Sequence, residues 1–227
     1  MKIIEIKNKN NRYMIFFPGW AFDYKIFTDL NFQYNIISYD KIDLLNYKNI
    51  LIEYITKKNI NELYLTGWSM GNFLLADSIE ALSKIITLKK LYLISPTYKF
   101  KKKEVEDLKK SIIEDKINGM KKFYRKVFIG DKDLYNLFKD KYENYYLKLY
   151  TKNELLTTLN YLKNKRLNIK AFLRFPVILI ASKNDILIPF NEILRLKNNL
   201  KEVRSFFVDY THTPFFYPPI KGVINEG

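Results

Sequence analysis

Short runs of β-branched and aromatic residues recur along the chain at 3–6, 13–17, 35–39, 63–66, 91–94, 177–181 and 205–208. Several are apolar at consecutive positions, the pattern of strands covered on both faces of a parallel sheet. Between most of them lie segments of helical length, at 44–57, 71–84 and 191–200. Strands alternating with helices predict an α/β fold: a mostly parallel sheet flanked by helices.

The alternation stops between Pro96 and Pro176. No convincing strand lies there, and Met120, Phe123, Tyr124, Val127 and Phe128 recur at i, i+3, i+4, i+7 and i+8, as one face of a helix does. A helical insertion is expected at about 97–175, forming a lid on a single domain of residues 1–227, since neither an internal repeat nor a low-complexity linker divides the chain.

Composition narrows the chemistry. With 48% hydrophobic residues, 17 Phe and 18 Tyr, the 227-residue chain has ample material for a core. The absence of cysteine excludes a disulfide framework, a thiolate nucleophile and a sulfur-based metal site, and one histidine makes other metal clusters unexpected. The segment Met1 to Lys7 alternates like a strand and lacks the apolar core of a signal peptide, and no later run reaches the length of a membrane span. A cytoplasmic location is expected. The net charge of +15 would suit nucleic acid, an anionic membrane or an acidic protein. Lys, Asn, Ile and Tyr are abundant throughout, however, as in a chain encoded by an AT-rich genome, so only clustering of charge is informative. No nucleic-acid partner is expected.

Gly67-Trp68-Ser69-Met70-Gly71 follows the strand at 63–66 and precedes a helical pattern. This is the context of a G-x-S-x-G elbow, where a tight turn lifts a nucleophilic serine above the sheet and its flanking residues need to be nearly without side chains. Only seven glycines occur, and three are Gly19, Gly67 and Gly71. A serine hydroxyl needs a base that takes its proton during attack. The single imidazole, His212, follows the last predicted strand, where the base of such a triad sits. Asp185, after the strand at 177–181, is the preferred third member, holding the imidazole's tautomer. Asp209 competes through its nearness to His212 but reads more simply as a loop cap. The N–H of Met70 and that of Trp20, in Phe17-Pro18-Gly19-Trp20, are the candidate oxyanion donors.

Gly19-Trp20, Gly67-Trp68-Ser69-Met70-Gly71, Asn184-Asp185-Ile186-Leu187-Ile188-Pro189 and His212-Thr213-Pro214-Phe215 together resemble the α/β-hydrolase superfamily along nearly the whole chain. The two tryptophans and the His-x-Pro-Phe ending look most like the pimeloyl-acyl-carrier-protein methyl ester esterases of biotin synthesis. That resemblance implies hydrolysis of an acyl methyl ester through Ser69, His212 and Asp185, with no metal or organic cofactor. It implies substrate contacts from Trp20, Ser69, Met70, His212 and a lid phenylalanine matched by Phe123, for which a core role joining lid to body competes. It also implies an acidic acyl carrier protein as partner, bearing the small acyl ester. A general short-chain carboxylesterase or thioesterase, and a binding protein on a hydrolase scaffold, are the alternatives. Pro18 stands where many relatives have histidine, Asn72 where many have a second glycine, and the chain after Pro219 is short for a full final helix.

Lysines and arginines crowd the first part of the insertion, among them Lys121, Lys122, Arg125 and Lys126. On the helix carrying Phe123 the apolar stripe is expected to face the pocket and the basic residues to lie largely opposite, as a docking face for the carrier. A solvated face of a lysine-rich protein is the competing reading.

Overall fold

The computed structural model describes residues 1–8 and 10–226. Seven strands form one sheet: β1 (Ile3–Ile6), β2 (Tyr13–Phe17), β3 (Asn35–Tyr39), β4 (Glu62–Trp68), β5 (Thr87–Ile94), β6 (Val177–Ser182) and β7 (Val203–Val208). Their order is β1-β3-β2-β4-β5-β6-β7, with β1 antiparallel to β3 and every other pair parallel. The central strands are buried on both sides because helices cover both faces, and this is why their apolar residues run consecutively instead of alternating.

Burial in β4 and β5 changes along the strand. Each begins with an exposed polar residue, Glu62 or Thr87, and the last four residues of each are wholly buried. Glu62 and Lys89 form an ion pair at 3.1 Å at the exposed beginning, while a register shift between Leu63 and Tyr64 breaks the simple alternation. The buried, carboxyl ends of the strands are the end at which the site is assembled.

Helix α1 (Tyr47–Lys58) lies between β3 and β4, and α2 (Gly71–Leu82) between β4 and β5. Nine residues of α2 are buried, among them Phe73, Leu74, Leu75 and Ile79. A helix so enclosed needs apolar residues on most of its circumference, and its charged residues are confined to Asp77, paired with Lys165, and the exposed Glu80.

The insertion follows β5 and precedes β6, the fifth and sixth strands of this sheet. It comprises α3 (Lys102–Glu114), α4 (Lys116–Val127), α5 (Lys132–Phe138), a π-helical turn (Lys139–Glu143), α6 (Asn144–Leu149) and α7 (Lys152–Asn164). Side-chain caps start three of the helices: Asp115 for α4, Asp131 for α5, and Thr151 with Glu154 in a capping box for α7. One continuous buried cluster runs from the sheet into the insertion, where Tyr124 packs on Phe22 and Phe138 with ring centres 5.3 and 5.0 Å apart.

After β6, α8 (Phe190–Asn198) leads to β7, and α9 (Pro218–Glu226) ends the described chain. The tail is thus a nine-residue helix. Pro218 and Pro219 open it, in a first turn where a missing N–H leaves no helical hydrogen bond unmade. No helix among the described residues is long and apolar enough to cross a membrane.

Candidate active site

Strand β4 runs into the elbow, and Ser69 takes a left-handed backbone at φ 53°. For a residue with a side chain this conformation costs about 1–3 kcal/mol and persists only where its surroundings hold it. The Ser69 N–H donates to the Ile94 carbonyl at the end of β5, 3.0 Å away. The side-chain amide of Asn72 donates to the carbonyls of Ser69 and Ile94, each at 3.0 Å. The flanking glycines are required by space: a Cβ on Gly67 would lie 2.8 Å from the backbone nitrogen of Asn72, and one on Gly71 would lie 2.0 Å from the carbonyl oxygen of Phe17. The second approach also brings the loop after β2 against the elbow.

His212 is buried in the loop after β7, and its Nδ1 lies 2.6 Å from Oδ2 of Asp185. The other carboxylate oxygen of Asp185 accepts the backbone N–H groups of Leu187 and Ile188 at 2.8 and 3.0 Å. With both oxygens occupied, the carboxylate has one orientation, and it presents to the imidazole an acceptor that fixes a proton on Nδ1 and leaves Nε2 free to act. Asp209, with 67% of its side chain exposed, instead pairs with Lys183 at 3.6 Å. The carboxylate beside His212 is therefore Asp185. Trp68, fully buried, donates from its indole to the His212 carbonyl at 2.9 Å and ties the elbow to the histidine loop.

Ser69, His212, Trp20 and Phe123 all line one cavity of about 630 Å³. Trp20 donates from its indole to Thr158 of α7 at 2.8 Å, and its ring meets Phe123 edge-on with centres 4.7 Å apart. Phe123 thus lines the cavity and also joins the insertion to the body. Among the described residues, the backbone N–H groups of Trp20 and Met70 have no acceptor in the protein. Phe100, Leu108, Leu159 and Leu162 complete apolar walls of the size and character common in small-molecule sites.

The face of α4 differs from the expectation. Met120, Tyr124, Val127 and Phe128 are buried, Tyr124 against Phe22 of the body and Phe128 against Phe138 of the insertion, and of the apolar stripe only Phe123 reaches the cavity. Gly119, Lys122, Phe123 and Lys126, spaced i, i+3, i+4 and i+7, form the cavity flank, joined by Arg125. The helix lies apolar side down on the aromatic cluster around Phe22, so the cavity runs along its side, where the basic residues stand. Lys122, Arg125 and Lys126 have no ion-pair partner among the described residues, and Glu104 and Asp107 of α3 line the same cavity.

Asn72 is the residue that sequence reasoning undervalued, as a departure from a glycine pair. Its signal was a lone amide in the run Gly71-Asn72-Phe73-Leu74-Leu75, since a buried polar side chain in such surroundings must find partners.

No family model matches this chain. No curated protein matches it either. Solved structures do: an esterase from Exiguobacterium antarcticum has a TM-score of 0.82 at 14% identity, covering 99% of this chain and 92% of that one. An enol-lactonase from Burkholderia xenovorans LB400 gives a TM-score of 0.79 at 9% identity, covering 99% and 93%. The esterase RhEst1 from Rhodococcus sp. ECU1013 gives 0.73 at 16% identity, covering 99% and 91%. The chain has the α/β-hydrolase fold.

Proposed function

We propose that this chain is a serine carboxylesterase in which Ser69 is the nucleophile, His212 the general base and Asp185 the group that orients it. The observation that carries the reading is the 2.6 Å contact of His212 with a fully engaged Asp185, on the cavity that also holds the strained Ser69 elbow. Ser69 Oγ attacks the ester carbonyl as His212 Nε2 takes its proton. The oxyanion is received by the N–H groups of Trp20 and Met70. The tetrahedral intermediate collapses, the alcohol leaves with the proton from His212, and an acyl-Ser69 remains. Water, deprotonated by His212, then attacks the acyl carbonyl and releases the acid, restoring the hydroxyl. The sequence balances with ester and water alone.

The finer reading is hydrolysis of the methyl ester of a pimeloyl chain borne by an acyl carrier protein, in the cytoplasm, as a step of biotin synthesis. The apolar walls around Trp20, Phe123 and Leu159 suit an aliphatic acyl chain, and the unpaired Lys122, Arg125 and Lys126 on the cavity flank suit an acidic carrier. The test compares kcat/KM on p-nitrophenyl butyrate with that on the carrier-bound methyl ester, together with growth of a biotin-requiring strain lacking its own esterase. A preference for the carrier-bound ester with restored growth is the expected result. Hydrolysis of the small ester alone would leave a general carboxylesterase, and binding without any turnover would contradict the enzymatic reading.

A further inference from the structure

The loop after β2 is gripped from above by tyrosines of the insertion. Its first residues form a turn in which Phe22 N–H donates to the Gly19 carbonyl at 3.2 Å. Ala21, third in that turn, has φ 61°. This is the left-handed region, which a turn of this kind normally fills with glycine because a Cβ is strained there. Tyr124 of α4 donates its hydroxyl to the Ala21 carbonyl at 3.1 Å, and Tyr150, just after α6, donates to the Phe22 carbonyl at 3.0 Å. The next residue, Asp23, is fully buried and accepts the hydroxyl of Tyr146 and the backbone N–H of Lys25, each at 2.9 Å, and the hydroxyl of Tyr145. Burial raises the Asp23 carboxyl and keeps Tyr124, Tyr146 and Tyr150 protonated well beyond the ordinary phenol range, so all three remain donors at working pH. None of these four tyrosines lines the cavity, whereas Trp20, inside the same turn, does.

We infer that Tyr124 and Tyr150 are positioning residues: they hold the strained 19–22 turn in the shape that aims the Trp20 N–H at the oxyanion, with Asp23, Tyr145 and Tyr146 anchoring its far side. The inference rests on the esterase reading of Ser69. Without the hydroxyls, the carbonyls of Ala21 and Phe22 lose buried donors, and the turn relaxes toward a negative φ at Ala21. The peptide plane carrying the Trp20 N–H then tilts. A planar ester in the ground state needs that donor little and a tetrahedral oxyanion needs it greatly, so the loss falls on kcat and not on KM.

Tyr124→Phe, Tyr150→Phe and the double variant keep the rings and remove only the hydroxyls. With p-nitrophenyl butyrate, the double variant is expected to lose about 10- to 100-fold in kcat, below the full cost of deleting an oxyanion donor, with KM within about twofold of wild type. Affinity for an alkylboronic acid, whose tetrahedral adduct on Ser69 occupies the same donors, should fall by the same factor. Circular dichroism at the assay temperature checks folding, and if the double variant is unfolded, Tyr150→Phe alone should show the same split at smaller size. A folded variant with wild-type kcat overturns the inference, as does a rise in KM alone or a loss of kcat without loss of boronate affinity. Phosphonate labelling of wild-type Ser69 separates the two readings. A labelled Ser69 with indifferent tyrosine variants rejects only the positioning role, and an unlabelled Ser69 rejects the esterase reading and the positioning role with it.

Discussion

The side-chain amide of Asn72 donates at 3.0 Å to the carbonyl of Ser69, and the same nitrogen donates at 3.0 Å to the carbonyl of Ile94. The helix after Ser69 therefore stitches that serine's own backbone to strand β5, which also accepts the Ser69 N–H. A left-handed serine is held at three points, and removing one of them tests how far the elbow depends on the others.

Asn72→Ala should remove one of the two donors to each of two buried carbonyls, leaving the Ser69 carbonyl with the backbone N–H of residue 72 and the Ile94 carbonyl with the Ser69 N–H, at a cost of about 0.5–1.5 kcal/mol. For a domain of this size that is a fall of roughly 1–6 °C in Tm. Because the released backbone is that of Ser69, kcat should fall further than stability alone explains. Asn72→Asp should be worse, since its carboxylate oxygens would face the two carbonyls. Thermal melts and steady-state kinetics on one soluble ester check both variants.

Asp185→Asn should reduce kcat by about 10⁴-fold, because an amide in place of the carboxylate leaves His212 in the wrong tautomer. Asp209→Asn should change it little, since that side chain is exposed and pairs only with Lys183. Side-by-side kinetics of the two variants decide which carboxylate serves the imidazole.

The edge strand carries a pH-dependent tie. Glu5 of β1 meets Lys58 at 2.7 Å and accepts the Tyr54 hydroxyl at 2.6 Å. Burial, the largest single influence, pushes its carboxyl up, but the hydrogen bonds from Lys58 and Tyr54 and the charges of Lys58 and Lys7 outweigh it and leave it below its ordinary value of 4.5. A carboxylate depressed in the folded state stabilises above its unfolded value and loses that contribution as pH falls through the folded one. The Tm difference between wild type and Glu5→Gln should therefore be widest near neutral pH, amount to a few degrees at most because the partner Lys58 is exposed to solvent, and close as pH falls below about 4.5.

Reversing the cavity flank with Lys122→Glu, Arg125→Glu and Lys126→Glu should lower kcat/KM for a carrier-bound ester severely at low salt and mildly at high salt. A small neutral ester should be nearly indifferent. Lys121→Glu supplies the control, since Lys121 is on the same helix and outside the cavity wall. Equal losses with Lys121→Glu would point to general charge and not to a flank.

The strand centres were legible because residues such as Ile178, Leu179 and Ile180 are buried on both faces and advertise it by running consecutively. The first half of β5 was not, since Thr87 and Lys89 are exposed, Lys90 is half-buried, and the register shift opposite Leu63 and Tyr64 breaks the alternation. Ser69, His212 and Asp185 could be picked out because each follows a strand at the same end of the sheet. The face of α4 could not be fixed by periodicity alone. A period of 3.6 says which residues share a side, and Met120 and Tyr124 do, but it does not say whether that side meets a cavity or a core. The grip of Tyr124 and Tyr150 on the loop after β2 spans more than a hundred residues and left no local mark in the sequence.

Activation of Ser69 by His212 is tested by peptide mapping with mass spectrometry after exposure to a fluorophosphonate. A single adduct should be found on Ser69, absent from Ser69→Ala and formed far more slowly in His212→Ala, with both variants folded and inactive toward p-nitrophenyl butyrate. An adduct on another residue, or ester hydrolysis persisting at the wild-type rate in Ser69→Ala, would contradict the account.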